Sequence, residues 1–389
     1  MDFAARMERL GTESAFEVLA KAKQLETQGR NIIHLEIGQP DFKTAPFICE
    51  AAYQAMKDGY TGYGPAAGLM ELRQAIADHV SETRDLSVQA EEVVVTPGGK
   101  PIIFFTLLAL INSGDEVIYP NPGFPIYESA INFVGGQAVP LALREEEDFR
   151  FRIEDLQAAV SDRTRLLILN SPQNPTGGLL TQSDLAAISQ LAQQHDFYVL
   201  SDEIYSRILY DQTHHSILSL TGMKERTILL DGFSKTYAMT GWRLGYGVSP
   251  RPMAEKLEKL MINSNSCTAS FTQMAGVAAL QGRPDFVDQM VAEFQRRRDA
   301  IVAGLNAIEG ISCLKPAGAF YVFPNVQQLP LDCNAFADYL MEEAGVAVLS
   351  GTSFGQFGDG YLRLSYANSI ENIQAALARI KKAVGNLRK

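Results

Sequence analysis

The sequence predicts an α/β protein, with a large domain whose mostly parallel sheet is covered by helices and a smaller α+β domain built from both chain ends. Three observations lead to this fold class. Short apolar, β-branched runs alternate with amphipathic stretches through the middle of the chain, which is typical of parallel strands joined by helices. The alternation stops near residue 250. With 389 residues, the chain is also too long for one small core.

The elements of the large domain follow from local patterns. The stretch "EEVVVTPGGKPIIFFTLLALINSGDEVIYP" at 91–120 predicts a strand, a glycine turn, a helix and a second strand. The same order returns in "TRLLILNSPQNPTGG" at 164–178, "LTQSDLAAISQLAQQHD" at 180–196 and "FYVLSDEIY" at 197–205. Two further strands are predicted in "RTILLDGFSK" at 226–235 and "WRLGYGVSP" at 242–250. Ligands of such sheets collect where strands end, so the polar clusters after these runs are candidate site residues.

The second domain is predicted from the remaining chain. A long helical region at 252–308 could bridge the two domains. Strands are expected in "GAFYVFP", "GVAVLS" and "YLRLSYA", and "ENIQAALARIKKAV" is typical of a closing amphipathic helix. A helix around 13–28 is expected to complete this domain. The predicted division is 1–45 for an N-terminal segment joining the small domain, 46–285 for the large domain and 286–389 for the small domain.

Composition excludes several function classes. The formal net charge of −11 argues against nucleic acid, whose binding depends on neutralising phosphates. The longest apolar run, at 101–111, is too short to span a bilayer, and the acidic residues near the N-terminus do not fit a signal peptide. The four cysteines show no C-x-x-C spacing, which suits a reducing cytoplasm and predicts no zinc site.

Several residues in these clusters suit a phosphate-bearing aldehyde. Gly98, Gly99 and Lys100 open a helix whose amides could hold an anion, and Ser234 and Arg243 could add a hydroxyl and a fixed charge.

A partly desolvated Lys235 could lose its proton and form a Schiff base with an aldehyde. Pyridoxal 5'-phosphate combines aldehyde and phosphate, and its ring nitrogen needs a carboxylate, for which Asp202 is placed. Asn174 and Tyr205 could bond to the ring's phenolic oxygen, and Phe124 could stack on the ring.

Five motifs in order resemble the class I aminotransferases: "YTGYGPAAG", "SPQNPTGG", "SDEIY", "GFSKTYAMTGWRLGY" and "YLRLSYA". The resemblance runs from residue 34 to the last helix and is closest to the bacterial aspartate, aromatic and alanine group. It implies an aspartate aminotransferase-like fold with a sheet of the seven-stranded type. The implied activity transfers the amino group of an L-amino acid to a 2-oxo acid such as 2-oxoglutarate or pyruvate, with pyridoxal 5'-phosphate as cofactor.

The resemblance also implies residue roles. Lys235 would hold the cofactor and move the proton of the substrate α-carbon, while Asp202 would pair with the ring nitrogen. Arg363 would bind the substrate α-carboxylate, assisted by Gly38 and Asn174. The residues implied to hold the phosphate are Gly98, Gly99, Ser234 and Arg243, with Tyr63 reaching the phosphate of the neighbouring subunit in a homodimer.

Two departures from the family pattern leave the substrate open. Gly232 stands where many relatives carry serine, and Phe124 stands where aspartate-specific relatives often carry tryptophan. Phe16 and Phe124 suggest room for apolar side chains, whereas Lys100 could bind a distal carboxylate. A carbon–sulfur lyase using the same cofactor is the alternative function, since it shares most of this site.

Overall fold

The computed structural model describes residues 3–282 and 285–387, in which a seven-stranded sheet forms the centre of the molecule. Its strands are β2 (Val93–Thr96), β3 (Glu116–Asn121), β4 (Gln137–Ala142), β5 (Thr164–Asn170), β6 (Tyr198–Asp202), β7 (Thr227–Gly232) and β8 (Gly245–Val248). The strand order is β2-β8-β7-β6-β5-β3-β4. β8 runs antiparallel to both of its neighbours, β2 and β7, and all other neighbouring strands pair in parallel. The predicted mostly parallel sheet is therefore confirmed.

Helices cover both faces of this sheet. They are α2 (Pro46–Lys57), α3 (Met70–Arg84), α4 (Lys100–Leu110), α5 (Ile126–Val134), α6 (Ile153–Ala159), α7 (Gln182–His195), α8 (Arg251–Ser264) and α9 (Ser270–Gln281). Alternate residues of β5 show the two layers. Leu166 and Ile168 pack with α4, α5 and α8, whereas Leu167 and Leu169 pack with α6 and α7 on the other face. Burial on both faces explains why these strands are continuous apolar runs.

A second core lies beside the sheet and unites distant parts of the chain. Its helices are α1 (Ser14–Thr27), α10 (Asp285–Asn306), α11 (Cys333–Tyr339) and α12 (Ile370–Leu387). Its strands are β1 (Ile33–His34), β9 (Tyr321–Val322), β10 (Val346–Ala347), β11 (Leu349–Ser350) and β12 (Leu362–Ser365). β1 pairs in parallel with β10, so the N-terminal segment joins the C-terminal part of the chain. The predicted domain boundaries at 45/46 and 285/286 stay predictions.

The expected long helical bridge is three separate helices. A left-handed residue, Ser266, follows α8 and ends it. α8 and α9 pack against the large sheet, and only α10 contributes to the second core, through Met290, Phe294 and Ile301. The amphipathic pattern of all three helices is similar, so the sequence did not distinguish which core each one covers.

The register of the sheet gathers polar residues at one edge. Asn170 at the end of β5 pairs with Asp202 at the end of β6. β7 ends beside them at Gly232, three residues before Lys235. No helix in the described part of the chain is long and apolar enough to cross a membrane.

Candidate active site

Residues from both cores surround a cavity of about 530 Å³ at the carboxyl edge of the large sheet. Asn170 and Asp202 line it from the ends of β5 and β6, and Tyr321 lines it from β9. The residues selected from the sequence that line it are Phe16, Gly38, Gly99, Lys100, Phe124, Asn174, Asp202, Tyr205, Ser234, Lys235, Arg243 and Arg363. The fold therefore brings these residues together where the parallel strands end.

Lys235 lies on the turn after β7. Its Nζ donates a hydrogen bond to the carbonyl oxygen of Gly38 and lies 5.9 Å from the ring centre of Tyr205. Burial, reinforced by the charge of Arg363, lowers the pKa of Lys235 from 10.5 to about 8. About a tenth of the amine is then neutral at pH 7, far more than for an exposed lysine. The neutral amine is the form that attacks a carbonyl carbon.

Asp202 is a buried carboxyl group at the end of β6. Tyr127 donates its hydroxyl proton to Oδ2 at 2.6 Å, and the N–H of Ile204 donates to Oδ1 at 3.2 Å. Burial nevertheless raises the pKa of Asp202 to about 6, since desolvation outweighs both hydrogen bonds. A positive charge in the cavity beside Asp202 would stabilise its ionised form.

The turn between β2 and α4 is shaped to accept an anion. Gly98 has a φ of +87°, and a Cβ there would lie 2.2 Å from Nη2 of Arg243. The missing side chain lets the Arg243 guanidinium approach the backbone that leads into α4. Gly99 precedes the first residue of α4, so helix N–H groups and a guanidinium lie close together. Gly98 itself does not line the cavity but makes room for Arg243, which does.

Arg363 is buried and only partly paired. Nη1 donates to Oδ1 of Asn174 at 3.2 Å, and Nη2 donates to the carbonyl oxygen of Glu36. The guanidinium lies between two rings, 4.6 Å from the centre of Tyr321 and 5.0 Å from that of Phe354. Nε has no hydrogen-bond partner among the described residues, and burial lowers the pKa of the guanidinium. A carboxylate is the group that would satisfy this fork.

Positive charge predominates in the cavity although the protein is acidic. The charged side chains that line it are Lys100, Lys235, Arg243 and Arg363 against Glu13 and Asp202. The chain as a whole carries a formal charge of −11. Such a local reversal of sign is suited to a small ligand with several negative charges.

Lys100 is the cation whose surroundings differ most from the sequence-based interpretation. It is the first residue of α4 and forms an ion pair with Glu13, while its Nζ lies 5.6 Å from the ring centre of Phe124. The side chain of Glu13 is 16% exposed and that of Lys100 is 45% exposed. The lysine proposed for a distal carboxylate therefore already has a carboxylate partner within the chain.

The family model for aminotransferase class I and II matches residues 30–380. The chain is 40% identical to an aspartate aminotransferase of Pyrococcus abyssi, over 91% of this chain and 92% of that protein. It is 37% identical to aromatic-amino-acid aminotransferase 2 of Thermococcus litoralis, over 99% and 98% of the two chains. The chain belongs to the class I and II aminotransferases. A solved aspartate aminotransferase from Thermus thermophilus with maleate superimposes with a TM-score of 0.95, at 37% identity over 98% of this chain and 100% of that chain.

This class I aminotransferase has a site that fits the cofactor of its family, pyridoxal 5'-phosphate. The observations that test the fit are independent of the comparisons. A buried lysine with a lowered pKa, a buried carboxyl group and an anion-accepting turn line or border one cavity, and the turn depends on a glycine whose Cβ would strike Arg243. Aldehyde, ring nitrogen and phosphate each need one of these groups.

Three residues of the aminotransferase site were missed by sequence reasoning. Tyr127 donates to Asp202, Asn170 holds the N–H of Asn174 at 2.9 Å, and the hydroxyl of Tyr321 lies 2.8 Å from that of Tyr205. Tyr127 follows Phe124 by three residues, a spacing that places both on one side of a helical turn. Asn170 could have been found as the last residue of a buried strand. Tyr321 comes from β9, and no local pattern predicts its approach.

Besides Gly98, a second predicted site residue does not line the cavity of its own chain. Tyr63 is 93% exposed and does not line the cavity. Its predicted contact with a neighbouring subunit stays a prediction.

Proposed function

We propose that this aminotransferase uses Lys235-linked pyridoxal 5'-phosphate to move the amino group of an L-amino acid to a 2-oxo acid, such as 2-oxoglutarate or pyruvate. The observation that carries the proposal is the meeting of Lys235, Asp202 and Arg363 around one cavity with excess positive charge. When bound, pyridoxal phosphate supplies an electron sink for the bonds at the substrate α-carbon.

Different residues would hold the ring nitrogen, the phenolic oxygen, the ring face and the phosphate of the cofactor. Asp202 would hold the protonated ring nitrogen, and Tyr127 keeps that carboxylate oriented. Asn174 and Tyr205 would bind the phenolic oxygen, and Phe124 would cover one face of the ring. The phosphate would lie among Gly98, Gly99, Lys100, Ser234 and Arg243, where helix N–H groups and a guanidinium converge.

The substrate would be oriented by its α-carboxylate. Arg363 offers its N–H donors in a planar fork. Among the described residues, none accepts a hydrogen bond from Nε, so no internal carboxylate competes with the substrate at that atom. Asn174 accepts from Nη1 and fixes the plane of the guanidinium. Gly38 is required nearby, because a Cβ at this position would lie 2.2 Å from the hydroxyl of Tyr321.

Lys235 Nζ would take the proton from the substrate α-carbon and deliver it to C4′ of the cofactor. Its lowered pKa keeps neutral and charged forms both accessible near neutral pH, as a group that alternately accepts and donates a proton requires. The hydrogen bond to the Gly38 carbonyl holds the free amine of Lys235 in a defined position.

A homodimer with shared sites and a cytoplasmic location complete the proposal. Large apolar side chains are exposed along one stretch of the chain: Tyr53, Met56, Tyr63 and Met70. Where such side chains form one contiguous patch, the surface is typically one that another protein covers. The described cysteines are all free, which suits a reducing compartment.

A half-reaction experiment tests the function. The holoenzyme given an amino acid alone should turn over once, lose the visible absorbance of its cofactor, and regain it when a 2-oxo acid is added. Borohydride treatment of the resting enzyme should attach the cofactor to Lys235, and Lys235→Ala should show neither response. Continuous ammonia release without an added oxo acid would overturn the proposal in favour of a lyase.

A further inference from the structure

The ion pair between Glu13 and Lys100 lies at the wall of the cavity beside two aromatic side chains. Glu13, Phe16, Lys100 and Phe124 all line the cavity, and the pair joins the N-terminal segment to the start of α4. Phe16 is 62% exposed although it is a large apolar side chain. This wall therefore presents apolar surface around a pair of charges that neutralise each other.

Lys100 lies where its own helix disfavours it, and Glu13 makes no side-chain cap to its own helix. Glu13 is the N-cap residue of α1, yet its side chain accepts no hydrogen bond from the helix. The N-cap residue types that helices favour, such as Ser, Thr, Asp and Asn, do accept such bonds. Lys100 is the first residue of α4, where the positive end of the helix dipole disfavours a cation. Residues that depart from local preference in this way are often explained by a functional site.

We propose that Glu13 is a specificity-determining residue, which occupies Lys100 and thereby favours substrates whose side chains are uncharged. Lys100 is the cation of this wall, and Glu13 neutralises it, so a substrate carboxylate competes with Glu13 for its charge. An apolar side chain meets Phe16 and Phe124 without breaking the ion pair. The inference rests on the proposed aminotransferase function and adds the substrate class.

Glu13 also lies near the groups that bind every substrate, so a specific effect must be separated from a general one. Its charge favours the protonated form of Lys235 and the charged form of Arg363. A loss of that charge could therefore change the binding of any carboxylate. Ligands that share the first carboxylate but differ at the distal end separate the two effects.

The test measures binding of two unreactive acids to the holoenzyme by calorimetry. Maleate carries a second carboxylate, and 3-phenylpropionate carries a ring instead. Glu13→Gln should tighten maleate binding by about 10- to 100-fold, the value of a freed charge-assisted hydrogen bond, and change 3-phenylpropionate less than about threefold. The ratio of kcat/KM for aspartate to kcat/KM for phenylalanine should also be higher in Glu13→Gln than in the unaltered enzyme.

Two further variants make the result specific. Glu13→Gln combined with Lys100→Gln should lose the gain for maleate, because the freed cation is then absent. Glu17→Gln removes the same charge from an exposed position of α1, outside the cavity lining, and should leave both affinities unchanged. Glu13→Ala is measured in parallel as a second way of removing the charge, in case Glu13→Gln does not fold.

The outcomes decide the inference independently of the proposed function. No gain for maleate in Glu13→Gln, an equal gain for both acids, or a gain that survives the Lys100 change would each overturn it. Amino-group transfer by the unaltered enzyme would stand in all three cases. Failure of the unaltered holoenzyme in the half-reaction would instead refute the proposed function.

Discussion

At the scale of single residues, Lys235 and Asp202 have pKa values that burial shifts toward their neutral forms. Desolvation lowers the pKa of Lys235 to about 8 and raises that of Asp202 to about 6. Both groups are therefore less stable as ions at their buried positions than in water. A ligand that is cationic beside Asp202 and carbonyl-bearing beside Lys235 relieves both costs. The two residues proposed to act in catalysis therefore lower the stability of the cofactor-free protein near neutral pH.

Replacing Asp202 should separate stability from function. Its pKa is raised on folding, so its favourable contribution is complete below pH 3.8 and is lost as pH rises through about 6. At pH 7.5, Asp202→Asn should raise the free energy of unfolding of the cofactor-free protein by about 1–3 kcal/mol. Activity should fall by roughly three orders of magnitude, since the ring nitrogen loses its anion. Denaturant unfolding and steady-state turnover measure the two effects.

The pH profile is the control for this prediction. Near pH 3.5 the aspartate is itself protonated, so the difference in unfolding free energy between the two proteins should vanish if both remain folded there. A variant that is less stable at pH 7.5, or that retains full turnover, would contradict the role assigned to Asp202.

At the scale of elements, the turn from β2 into α4 links backbone conformation to anion binding. Gly98→Ala should lower the stability of the cofactor-free protein by about 1 kcal/mol, because an alanine at φ +87° is strained. The new Cβ should also displace the Arg243 guanidinium. We therefore expect pyridoxal phosphate affinity to fall by about tenfold or more, measured by fluorescence titration.

Gly114→Ala is the matched control for this turn. Gly114 has a φ of +92°, and a Cβ there would meet no atom within 4 Å. The same strain without the contact should produce a similar loss of stability and an unchanged affinity. Equal affinity losses in both variants would show that backbone strain alone, and not the position of Arg243, governs binding.

Apolar runs made most of the strands of the large sheet predictable. The polar residues that follow these strands made part of the active site predictable. β5 and β6 are apolar runs buried on both faces, so their positions, and the sheet edge at which Asn174 and Asp202 line the cavity, followed from the sequence. The role of Arg363 came only from the resemblance to a family. A residue on β12 that reaches Asn174 across 189 positions leaves no local signal.

Pairing between distant charges was the part that no pattern could supply. Lys100 was interpreted as a free cation, because the sequence does not show that α1 brings Glu13 beside it. The contact depends on how the N-terminal segment packs across the start of α4, which is a property of the tertiary structure. The substrate class was therefore left open by the sequence and is proposed from the structure.

At the scale of the whole molecule, the cavity lies where the two cores meet. Tyr205 and Tyr321 belong to the second core, whereas Asp202 lies on the large sheet, and all three line the cavity. We propose the division 46–285 and 286–389, with 1–45 joining the second part, as the units whose relative position sets the width of the site. Gly38 and Arg363 are then the points at which the N- and C-terminal parts reach the substrate.

A mixing experiment tests whether the dimer shares its sites. If Tyr63 serves the neighbouring subunit, Lys235→Ala and Tyr63→Ala are each defective as homodimers. A mixed dimer then contains one site with both residues intact and one with neither. After subunit exchange at equal amounts, half of the dimers are mixed, so about a quarter of the unaltered activity should return.

The alternative arrangement, without shared sites, predicts a different recovery of activity. If Tyr63 acts within its own chain, every site in a mixed dimer lacks either Lys235 or Tyr63, and no activity returns above the sum of the two variants. Sedimentation of the unaltered protein must first show a dimer or a larger assembly, and turnover before and after exchange measures the recovery. The 93% exposure of Tyr63 within one chain favours the shared arrangement, because a residue of its own site would be expected to line the cavity that Lys235 lines. A fully active monomer would contradict it directly.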